Sequence, residues 1–166
     1  TFIYALVYSA GAQRLGEIVG GNAREGSQLR ERFFKQYPAF KTLRNQVLTA
    51  AKRGFLKGLD GRLLRVRSEH SALNLLLQSA GAILCAKWLV LFDKDMKKAG
   101  YKNGWDNDYN VLTWCHDELQ VSVTEGLEND TGDRLCRMAE KAGEELKFRC
   151  KVTATYTIGD NWAATH

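Results

Sequence analysis

Apolar side chains recur at helical spacing through the first third of the chain, and the period then changes. Phe2, Ile3, Leu6 and Val7 form one stripe and Leu15, Ile18 and Val19 the next, with Gly11 and Gly20-Gly21 as breaks. Leu29, Phe33 and Phe34 predict a helix that ends near Pro38, and Phe40, Leu43, Val47 and Leu48 predict another. Residues 1–53 are therefore expected to be helical. Residues 54–67 turn extended around Asp60-Gly61, a hairpin signal. Ser68 or Ser71 then caps a long helix reaching Lys98, apolar nearly all round and so expected at the centre of the fold. From Val111 to Val123 two strand-like runs meet at His116-Asp117-Glu118, with Gln120 and Ser122 in the period-two positions of a half-buried strand. Leu135, Met138, Ala142 and Leu146 predict a helix from about Thr131 to Leu146, capped by Asp130 or Thr131. Residues 149–158 alternate as a final strand. Helices followed by mixed strands and helices make the expected class α+β, in two layers.

Composition narrows the class of function. With 45% hydrophobic and 26% charged residues the 166-residue chain is built like a globular domain. A net charge of +5 suits a polyanionic partner, and Lys52, Arg53, Lys57, Arg62, Arg65 and Arg67 crowd one short segment. A solvated basic hairpin is the plain alternative. Cys85, Cys115, Cys136 and Cys150 are widely spaced and form no CxxC pair, which argues against zinc and a disulfide framework and fits a reducing cytoplasm. The first residues lack a basic leader, and Lys87 interrupts the apolar run from Ala80 to Phe92, so that run is expected to be a buried helix and no membrane partner is expected.

The chemistry concentrates at His116-Asp117-Glu118. Adjacent carboxylates at the tip of an apolar hairpin repel each other, and such a cluster persists best where a cation shares the charge. Solvated acids placed in a turn by chance are the alternative. Tyr4 and Tyr8 are four apart and share a helix face, as do Asn74 and Gln78 on an otherwise apolar helix. Either pair also fits plain packing.

Taken together these segments resemble the family A DNA polymerases, the bacterial DNA polymerase I family, and within it the replicative polymerases of short-tailed T-odd phages. His116-Asp117-Glu118 resembles motif C, and the stretch from Thr1 through Tyr4 and Tyr8 to Gly11 resembles the second half of the motif B helix. Gly58-Leu-Asp-Gly-Arg62 and Asn74-Leu-Leu-Leu-Gln78 are similar to the palm hairpin and the Asn-x-x-x-Gln helix. The ending Asn161 to His166 resembles the family's C-terminus. The resemblance implies a helical part of the fingers over 1–53. It implies palm elements over 54–166, with a small antiparallel sheet packed on helices, the His-Asp-Glu hairpin and a C-terminal strand. It further implies two divalent cations, Mg²⁺ by the preference of hard ions for carboxylate oxygen, with Asp117 as bridging ligand and Glu118 as secondary ligand. His116 is then placed near the primer terminus. Tyr4 is implied beside the sugar of the incoming dNTP and Tyr8 beside the nascent base pair. Gln78 and Asn74 are implied in the minor groove of primer–template DNA, and Arg62 and His70 on its backbone or primer. Ser9 stands where the family usually has glycine.

The motif A aspartate and the arginine and lysine of motif B have no counterparts in Thr1–His166. The resemblance thus implies the C-terminal part of a polymerase, inactive without an N-terminal remainder that completes the second metal site. An expression fragment, a split gene and an intein-interrupted gene would each produce it; Thr1 carries the hydroxyl an intein junction requires, and threonine also stands there in the uninterrupted motif. The rivals are a non-catalytic DNA-binding module that keeps the palm as scaffold, and a metal-dependent nuclease. Adjacent acids facing phosphate count against the first, and Tyr4, Tyr8, Asn74 and Gln78 together count against the second.

Overall fold

The computed structural model describes residues 2–165. Thr1 and His166, and with them the expectations placed on the junction hydroxyl and the terminal histidine, lie outside the described residues. The chain divides into two compact units, residues 1–80 and 81–166, and the division falls inside one long helix.

The first unit begins with four helices, α1 (Phe2–Val7), α2 (Ala12–Ile18), α3 (Ala23–Gln36) and α4 (Pro38–Ala51). Asn22 starts α3 through a capping box: its side chain accepts from the Arg24 and Glu25 amides, and Glu25 accepts from the Asn22 amide at 2.8 Å. Pro38 occupies the first turn of α4, where its missing N–H costs nothing. The hairpin predicted around Asp60-Gly61 is present as β1 (Phe55–Lys57) and β2 (Leu63–Arg65), antiparallel with Leu56 opposite Leu64. Leu56 packs with Val47 and Ala51 of α4 and with Ala72 and Leu73, the first residues of α5 (Ala72–Lys98). That shared core ties the hairpin to the helices before it.

In the second unit, α5 packs with the antiparallel pair β3 (Tyr109–Cys115) and β4 (Glu118–Val123) and with α6 (Glu128–Glu145). Phe92, Met96, Tyr109 and Met138 form the centre, and the Trp88 indole donates to the Leu135 carbonyl at 2.8 Å. Arg134 of α6 pairs with Asp95 of α5 and with Asp130 one turn back in its own helix, both at 2.7 Å, and the first of these ties the two helices together.

Three expectations are corrected. Helix α5 reaches Lys98 as predicted, yet Leu77 and Val90 are exposed, so the helix is covered along part of its surface only. It is also the one helix among the described residues long and apolar enough to cross a membrane by length and composition. Helix α6 starts at Glu128 rather than at Thr131, after Leu127, because Asp130 is drawn to Arg134 instead of to the backbone. Residues 149–158, expected as a final strand, pair with no strand among the described residues. Their alternation has another cause: Val152 and Tyr156 lie against Gly143 and Gly132 of α6, so closely that a Cβ at either glycine would collide with them. A short final helix, α7 (Trp162–Thr165), follows.

Candidate functional site

The acids stand on a two-residue turn. Cys115 pairs with Glu118 across the end of the β3–β4 ladder, leaving His116 and Asp117 as the loop. So tight a hairpin needs left-handed backbone, and His116 supplies it at φ 54°, a conformation histidine tolerates better than most residues. The Trp114 indole donates to the His116 carbonyl at 2.7 Å and braces the turn. A register shift between Val111 and Thr113 puts one extra residue into β3, and Leu112 and Trp114 are exposed where simple alternation would bury one face cleanly.

His116 and Asp117 face solvent, and Glu118, the first residue of β4, is half-buried. The Gln120 side-chain amide donates to the Glu118 carboxylate. Burial pushes the thiol of Cys85 on α5 up in pKa, and the negative charge of Asp117 adds to the rise. Among the described residues no three His, Cys, Asp or Glu side chains converge into a metal-binding group. Asp117 and Glu118 fit a hard divalent cation as part of a coordination shell: both offer carboxylate oxygen, and Asp117 is open to solvent.

A second cluster lies in residues 1–80. The Tyr4 and Tyr8 rings stack with centroids 6.3 Å apart, as two residues one helical turn apart should, and both are exposed. The Gln78 amide donates to the Tyr8 hydroxyl at 3.2 Å, a link across seventy residues that no sequence pattern announces. Asn74, one turn before Gln78, has a buried Oδ1 without a hydrogen-bond partner among the described residues. Ser9, next to Tyr8, is held at φ 63°. This left-handed backbone costs a non-glycine residue about 1–2 kcal/mol and is reason enough for a glycine at that position.

Arg62 is committed locally. Its guanidinium donates to Asp60 at 2.7 Å and its amide to the same carboxyl, so Asp60 sits below the ordinary carboxylate range, chiefly through that side-chain bond. His70 is exposed on a 3₁₀ turn, Glu69–Ser71, just before α5. Gln120 lies two residues from Glu118 on one strand and so shares its face; its strand position is legible from alternation, its bond to Glu118 is not.

The family model for DNA polymerase family A matches residues 1–164. The chain is 36% identical to the DNA-directed DNA polymerase of Escherichia phage T7, over all of this chain and 26% of that protein. It is 28% identical to DNA polymerase I of Aquifex aeolicus, over 96% of this chain and 28% of that one. Among solved structures, the polymerase domain of Pol1 from M. smegmatis, in complex with DNA primer–template and dNTP, matches with a TM-score of 0.72 and 22% identity. That match covers 84% of this chain and 26% of the other, and it shows a shared fold. The chain thus spans about a quarter of the length of these relatives.

Proposed function

The chain belongs to DNA polymerase family A, and from that premise we propose that it forms part of the active site of a DNA-directed DNA polymerase, a nucleotidyltransferase that extends a primer 3′-hydroxyl. The observation that carries the reading is the pair of carboxylates on the two-residue hairpin turn, with Asp117 open to solvent. Residues 1–53 belong to the fingers and 54–166 to the palm, and the reaction takes place in the cytoplasm, of the host for a phage enzyme. The remaining motifs, with the other metal-binding aspartate, are supplied by polypeptide outside these residues.

Asp117, with Glu118 beside it, would hold Mg²⁺. Such ions supply charge neutralisation for the triphosphate and make the primer hydroxyl a better nucleophile. The chain's own residues do the rest of the positioning. His116, on the same turn, is directed to the primer terminus. Tyr4 packs its exposed ring beside the sugar of the incoming dNTP, and Tyr8 lies next to the nascent pair. Gln78 and Asn74 test pair geometry in the minor groove, where every correct pair presents acceptors at nearly equivalent places. Support comes from the Gln78–Tyr8 hydrogen bond, which joins the two roles in one unit. Arg62 and His70 steer the backbone, Arg62 by leaving Asp60 for a phosphate.

Asp117→Ala in the complete polymerase tests the reading. Incorporation is expected to fall about a thousandfold or more, because a ligand of the metal site is worth several kcal/mol in the transition state. Primer–template binding is expected to stay near normal. Near-normal extension by this variant would sink the assignment.

A further inference from the structure

We propose that Gln120 is a positioning residue that carries the hold of the C-terminal helix onto the Glu118 carboxylate, which makes α7 a working part of the acidic hairpin. Gln120 Nε2 donates to Glu118 Oε1, and Gln120 Oε1 accepts from Thr165 Oγ1 at 3.2 Å. The neighbours fix which way the amide faces. A carboxylate oxygen offers only lone pairs, so the NH₂ end turns to Glu118 and the carbonyl is left for the hydroxyl. Thr165 shares its one proton with the Trp162 carbonyl at 3.1 Å, which anchors that hydroxyl within α7. Glu118, Gln120 and Thr165 are all half-buried, where water competes less for these bonds.

The consequence concerns the cost of order. A glutamate side chain gives up much of its rotamer freedom when it is fixed. Residue 120, clamped from α7, removes part of that freedom before any cation arrives, so the carboxylate meets the ion already aimed. Partners that aim a ligand in this way are typically worth about 10–100-fold in metal affinity. The inference rests on the reading of Asp117 and Glu118 as ligands, and its test keeps the two apart.

In the complete polymerase bound to duplex, Mn²⁺ affinity is measured by electron paramagnetic resonance, and amide hydrogen exchange is followed at Glu118 and Leu119. Thr165→Val, which keeps the shape and removes the hydroxyl, and Gln120→Leu are each expected to weaken Mn²⁺ binding about tenfold. Both should speed exchange at the two amides. Thr165→Ser is expected to restore wild-type values. Unchanged Mn²⁺ affinity in Thr165→Val overturns the proposal, and so does an equal loss in Thr165→Ser, which would mark a packing role for the methyl group. Where Gln120→Leu fails to fold, Thr165→Val decides alone. Asp117→Ala serves as the separate control: wild-type Mn²⁺ affinity in that variant contradicts the ligand reading itself, whatever α7 does.

Discussion

In residues 1–80 the tyrosines and amides singled out for function are neutral, and Tyr4, Tyr8 and Gln78 are answered from within. Tyr8 accepts from Gln78, and Tyr4 stacks on Tyr8. In residues 81–166 the corresponding groups are acids at a turn tip, with Asp117 exposed and no third metal-ligating side chain converging on it among the described residues. The difference follows from the work proposed for each. Shape testing needs neutral donors held at fixed places, and a single chain can build that. Two cations and a triphosphate need more anionic and cationic groups than one hairpin can gather without tearing itself apart by repulsion.

The largest effect is expected at Gln78. Gln78→Ala removes a minor-groove donor, and the account predicts extension from a correct primer terminus to fall by about 1–3 kcal/mol of transition-state stabilisation, with less discrimination against mismatched termini. Single-turnover extension from paired and mismatched primers measures it. Equal discrimination in both enzymes would return Gln78 to plain packing.

The core of the second unit is open to an alkaline titration. Burial, helped by the hydrogen bond to Asp93, pushes the Tyr109 hydroxyl up to about 12. A raised folded value means the stabilisation is complete below the ordinary tyrosine pKa and is lost as pH climbs toward 12. The second unit should lose on the order of 2 kcal/mol across that window. Tyr109→Phe should start less stable at neutral pH and show no such loss, as followed by denaturant unfolding. An unchanged alkaline profile in Tyr109→Phe would remove the hydroxyl from the account.

Much of this was legible in the sequence because period and turn chemistry agreed. The runs flanking His116-Asp117 and the Asp60-Gly61 hairpin combine alternation with residues that accept tight turns, and both fold as expected. The misreadings came where a side chain had two possible partners. Asp130 had the chemistry of a cap but Arg134 was one turn away, and Val152 and Tyr156 alternate against a helix rather than in a sheet. The Tyr8–Gln78 bond had no local signal at all, since only the folded path of the chain brings them together.

Two smaller effects refine the neutral cluster. Tyr4→Phe deletes only a hydroxyl, so ordinary incorporation should persist while discrimination against dideoxynucleotide terminators rises several-fold. Competition between terminator and normal substrate measures this, and equal relative use by both enzymes would move Tyr4 away from the sugar. Ser9→Gly should relieve the backbone at φ 63° and stabilise the first unit by about 1 kcal/mol, read from denaturant midpoints. A lower midpoint would mean the Ser9 hydroxyl holds something the strain argument omits.

The most direct test of the central claim is templated primer extension with Mg²⁺, by these 166 residues alone and then with a polypeptide carrying the remaining family motifs. Alone, the chain is expected to bind duplex weakly and with strong salt dependence through Arg62, Arg65, Arg67 and the nearby lysines, and to extend nothing. With the partner, extension should appear and should vanish again in Asp117→Ala. Robust extension by the chain alone, or extension by the pair that is indifferent to Asp117, would contradict the account.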